Sequence, residues 1–94
     1  MDITELRGKI DACDDEIIRL FKERMETAEK IASYKAENDL PVFDRLRERA
    51  VINRVTEHQS EEMAMYIKML YTTIFDLSRS YPVSYTHLSS GGRL

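Results

Sequence analysis

Up to residue 81 the chain holds one glycine, Gly8, and one proline, Pro41. With so few breakers, long helices are expected. No stretch alternates apolar and polar residues long enough for a strand, and no internal repeat is present. Cysteine is nearly absent too. The one cysteine, Cys13, excludes an intrachain disulfide. There is no C-x-x-C pair, and His58 and His87 lie far apart, so no metal site is expected. Cys13 falls among apolar positions and is expected to be a buried packing residue rather than a nucleophile. No apolar run approaches the ~20 residues of a membrane span, and the opening MDITELRGK has no apolar signal core. The cytoplasm is the expected compartment, with no membrane partner. Positive charge is not in excess either: the formal net charge is -3. That argues against nucleic acid as a partner and leaves room for a local basic site.

What is present suits one helical domain: 94 residues, 43% apolar and 33% charged. Asp2, with Glu5 three residues on, forms a capping-box pattern. Leu6, Ile10, Cys13, Ile17, Leu20 and later Ile31 then recur in steps of three and four. Ile18, Phe21, Met25, Ala28 and Ala32 widen this stripe. No breaker intervenes until Asn38-Asp39-Leu40-Pro41, so one helix is predicted over about residues 3–38, roughly 50 Å long. A compact chain of this size has a radius of gyration near ~13 Å, so the rod overshoots its own globule. Its distal half must bury its stripe elsewhere, and a second copy of the chain is the simplest partner. A second helix is predicted from Asp44 as N-cap, carrying Leu46, Ala50, Val51 and Val55 and fraying near Glu57 and His58. Ser60 caps a third, with Glu61 and Glu62 in its first turn and Met63, Ile67, Leu70, Ile74, Leu77 and Tyr81 along one face.

The composition changes at Pro82. The last 13 residues, PVSYTHLSSGGRL, hold two of the three glycines, one of the two prolines and no acid. Two domain-level regions are therefore expected: a helical domain over residues 1–81 and a flexible, non-native tail over 82–94. On this reading a longer third helix has been cut, and VSYTHL is translated cloning sequence. An ordinary frayed terminus is the alternative.

Charged residues stand where apolar ones are expected. Continuing the heptad steps from Leu20 puts Arg24 on the apolar face. Lys35, eleven residues on, differs by only ~20° in rotation and lies ~16 Å further along the axis. Two long cations leaning toward each other across that gap suit a small anion held at both ends; snorkelling to water is the alternative. Arg7 is ~25 Å from Arg24 on the same helix, but in an antiparallel dimer it can approach Arg24 of the other copy. Asp44 and Glu48 share a helical face, with Arg47 close to it. A carboxylate can accept from a ligand hydroxyl, and an arginine fork can bind a ligand carboxylate. Arg45 and Arg49 are expected to be solvated.

An early arginine, ERMETAEKIASYK, a loop with PVFD, and RERAVI together resemble the all-helical chorismate mutases over about residues 3–81. The resemblance implies an all-α fold of three helices, one very long, one short and one medium, forming an intertwined homodimer. It implies rearrangement of chorismate to prephenate in aromatic amino-acid biosynthesis, with no metal or organic cofactor. The reaction exchanges a carbon–oxygen for a carbon–carbon bond within one molecule. Catalysis then rests on holding the folded conformer and stabilising charge on the ether oxygen. By resemblance, Lys35 and Glu48 are catalytic: Lys35 contacts the ether oxygen and a carboxylate, and Glu48 takes the ring hydroxyl. Arg24, Arg47 and Arg7 of the other copy bind substrate, Asp44 assists at the hydroxyl, and Ser78 faces the substrate.

One position departs from the pattern. Four residues after the serine, the family places a glutamine or glutamate that donates to the ether oxygen, and here Pro82 stands there. Proline has no side-chain donor and no N–H, so weak catalysis is expected. Three other readings share these residues. They are an isochorismate pyruvate-lyase, a non-catalytic dimerisation or regulatory part of a fused prephenate dehydratase, and a plain coiled-coil scaffold.

Overall fold

The computed structural model describes residues 2–87, and side chains through residue 80. It consists of α1 (Ile3–Glu37), α2 (Arg45–Thr56) and α3 (Glu61–His87), with no strand among the described residues. The expected helical order and all-α class are observed.

Local chemistry sets four of the boundaries. At the start of α1 the Asp2 carboxylate accepts from the Glu5 N–H at 2.9 Å, and Glu5 accepts from the Asp2 N–H at 3.1 Å. The box satisfies two donors that the helix itself leaves open. At its end Asn38 is the C-cap, and Asp39 turns left-handed at φ 55. The Leu40 N–H then donates to the Lys35 carbonyl at 2.8 Å, and Asp39 to Ala36 at 3.4 Å. This is the pair of backward bonds that closes a helix through a left-handed residue, which aspartate tolerates better than most. Asp44 starts α2 by accepting from the Arg47 N–H at 3.0 Å. Ser60 starts α3 by accepting from the Met63 N–H at 3.1 Å.

α3 is the element that joins the others: it packs on α1 and on α2, while α1 and α2 do not pack on each other. Among the described residues the core is three side chains, Met25 of α1, Val51 of α2 and Phe75 of α3. Each contributes about 1.5–3 kcal/mol, and a chain of this length needs many more buried groups to fold.

Every residue from Asp2 to Leu20 is exposed. Cys13 is among them, which corrects the expectation that it is buried. The heptad spacing lies on a continuous helix, but none of the described residues covers that stripe. The radius of gyration is 16.9 Å and the longest extent 53 Å, as the rod-like first helix requires. The accessible surface is 7886 Å², against about 5,600 Å² for a compact monomer of this mass. Among the described residues no helix is long and apolar enough to cross a membrane.

α3 continues past its expected end at Tyr81, through Pro82 to His87. The fixed φ of proline is itself helical, so the backbone can pass through it, at the cost of one hydrogen bond and of crowding between the ring and the preceding turn. Residues 88–94, the remainder of the expected tail, lie outside the described residues.

Candidate active site

The site builds outward from Phe75, which is buried where α3 crosses its neighbours. Arg24 sits one residue before buried Met25, so its side chain leaves α1 at the α3 crossing. Its guanidinium lies 5.8 Å from the Phe75 ring centroid and 5.7 Å from that of Tyr71. The two rings meet edge to face, with centroids 6.1 Å apart. Arg24 is half-buried and makes no ion pair among the described residues. The aromatic faces attract the cation without neutralising it, so its fork remains available to an anion.

Ser78 follows Phe75 by three residues on the same side of α3. It is half-buried, and its hydroxyl donates to the Met25 sulfur at 3.6 Å. Arg24 and Ser78 thus share the α1–α3 seam. Lys35 is half-buried in the last turn of α1, and its Nζ donates to the Val42 carbonyl at 3.4 Å. The left-handed turn at Asp39 brings the chain back far enough for this contact.

On α2, Glu48 is half-buried and pairs with Arg79 of α3. With Arg45, Arg49 and Ile52 of α2, and Thr72, Phe75 and Arg79 of α3, it lines a cleft of about 180 Å³. Phe75 is thus common to the Arg24 contact and to the Glu48 cleft. Arg45 and Arg49, expected in solvent, are exposed yet form part of this lining.

Two expected site residues lie at the margin. Asp44 is exposed and its carboxylate is occupied in capping α2. Arg47 is exposed as well. Arg7 is exposed in the uncovered first half of α1, and within one chain it is not brought to Arg24.

Sequence reasoning missed Arg79. Its guanidinium also pairs with Asp76 and lies 4.8 Å from the Phe43 ring centroid; Arg45 lies 4.9 Å from the same ring. The available signal was the spacing of Thr72, Asp76 and Arg79 along one side of α3, beside Ser78. The partner on α2, 31 residues away, is not visible to helical periodicity.

Fold and site together define a three-helix chain that turns cations onto its helix seams. The chain belongs to the chorismate mutase type II family, whose model matches residues 6–83. It is 35% identical over 60 residues to the bifunctional chorismate mutase/prephenate dehydratase of Aquifex aeolicus, a match covering 64% of this chain and 17% of that protein. It is 33% identical over 64 residues to the chorismate mutase of Methanocaldococcus jannaschii, covering 64% of this chain and 65% of that protein. The chain thus spans less than two thirds of either relative. No solved structure matches significantly.

Proposed function

We propose that this chain rearranges chorismate to prephenate in the cytoplasm, as a homodimer and without a cofactor. The observation that carries the reading is the placement of Arg24 against Phe75, with Glu48 in the cleft that Phe75 also lines. A dianion needs cations that are held but not neutralised, and Arg24 and Lys35 meet that description. Arg24 binds one substrate carboxylate through its fork. Lys35 exchanges the Val42 carbonyl for the ether oxygen and stabilises the charge that develops there as the bond breaks. Glu48 accepts from the ring hydroxyl, Asp44 supports that contact, and Arg47 adds positive potential at the rim. Ser78 borders the substrate from α3. Binding selects the folded conformer, in which the new carbon–carbon bond can form.

The dimer completes the site. The exposed stripe Leu6, Ile10, Ile17, Leu20 and the small core are the features that support it. A second copy lying antiparallel brings its own Arg7 to Arg24, closing the pocket with a further carboxylate ligand. Pro82 leaves the ether oxygen without its second donor, so turnover is slow. A chorismate-disappearance assay tests the reading, run beside isochorismate, whose cleavage would instead mark a lyase.

A second reading has its own support. The Aquifex aeolicus relative is bifunctional, and this chain matches only 17% of it. In this reading the chain is the mutase portion of a fused enzyme. Sequencing the open reading frame beyond residue 81 decides that point.

A further inference from the structure

Arg79 has no part in the mechanism above, yet among the described residues it makes the side-chain ion pair that joins α2 to α3. Its side chain is 36% exposed and that of Glu48 27%, so the pair is partly shielded from water. Three contacts fix the guanidinium: Glu48 on α2, Asp76 on its own helix, and the Phe43 ring in the α1–α2 loop. It donates to Oε2 of Glu48. Among the described residues, nothing else donates to that carboxylate.

We propose that Arg79 is a positioning residue for Glu48. It pins Oε2, so that Oε1 is the oxygen presented to the substrate hydroxyl in a single orientation. A glutamate has three side-chain torsions, and left unpinned it samples several rotamers. The contacts to Asp76 and Phe43 hold the arginine itself. The fork therefore transmits the rigidity of α3 to a carboxylate on α2. This inference rests on the mutase reading, which gives Glu48 its hydroxyl. Arg79 acts through Glu48 and does not touch substrate.

The test is a double-mutant cycle on chorismate kinetics with wild type, R79M, R79K, E48Q and R79M/E48Q. A mis-set carboxylate still meets the hydroxyl in the ground state but out of register with the reactive conformer. R79M is therefore expected to lower kcat about tenfold with KM changed less than about twofold. R79K recovers part of the loss. In the E48Q background R79M costs less than about twofold, because the group it positions has lost its charge. Equal losses in both backgrounds, or a loss confined to KM, overturn the proposal; the latter makes Arg79 a direct substrate ligand. Circular-dichroism melting of each variant identifies any that do not fold. If R79M is one, the cycle is run with R79K. A wild-type chain that turns over no chorismate overturns the mutase reading and this inference together. An active wild type with additive losses overturns this inference alone.

Discussion

The Arg24 guanidinium lies over the Phe75 ring, 5.8 Å from its centroid, and is half-buried where α1 crosses α3. An arginine on an apolar stripe normally escapes along its stem to water. Here two aromatic faces hold it at the seam. The contact keeps the cation oriented while its donors stay free.

On the proposed function, Arg24→Ala removes a charge-assisted contact to a substrate carboxylate, and kcat/KM is expected to fall about 10- to 100-fold. Arg24→Lys keeps the charge but loses the fork and recovers only part. A coiled-coil scaffold would show no ligand-binding loss in either variant. Steady-state kinetics, with calorimetric titration of chorismate, separates the two.

Asp44 offers a cleaner division between folding and chemistry. Its carboxylate caps α2 through the Arg47 N–H. Asp44→Ala is expected to cost about 1 kcal/mol of stability. Asp44→Asn preserves the cap, since asparagine caps as well as aspartate. If Asp44 also supports the hydroxyl contact, Asp44→Asn lowers turnover while leaving the unfolding midpoint unchanged. Unchanged turnover in Asp44→Asn assigns the residue to capping alone.

How far the site was legible depended on sequence distance. The capping pairs Asp2–Glu5 and Asp44–Arg47 lie three residues apart, and the chain's own spacing displays them. The α1 stripe was equally legible, because 3.6-residue periodicity is local. What periodicity cannot report is which stripe meets which. Arg79 reads as a surface arginine until α3 lies against α2, and only then does Glu48 become its partner. Cys13 shows the converse. Its place on the stripe follows from helical spacing, but burial depends on a covering surface that the described residues do not supply.

That uncovered stripe predicts the assembly. Ile17 is 60% exposed and Ile10 likewise 60%, both on the face that a second α1 would cover. Analytical ultracentrifugation is expected to give about twice the 11.0 kDa chain mass. On the proposed dimer, Ile17→Asp places a charge in the interface and shifts the chain toward monomer, with activity lost in parallel because Arg7 of the second copy no longer reaches the site. A wild-type monomer at micromolar concentration with full activity would remove Arg7 from the site.

Pro82 allows helix continuity and donor chemistry to be separated. α3 runs through this position, so its backbone is already helical there, but proline withholds both an N–H and a side-chain donor. Pro82→Ala restores the N–H alone. It is expected to stabilise α3 by up to about 3 kcal/mol, with little gain in turnover. Pro82→Gln restores the N–H and adds a donor for the ether oxygen. A donor aimed at developing negative charge is worth about 10²–10³ in rate. Turnover of Pro82→Gln should therefore exceed that of Pro82→Ala by about that factor at similar thermal stability. If the two variants are equally active, the missing donor is not what limits the reaction.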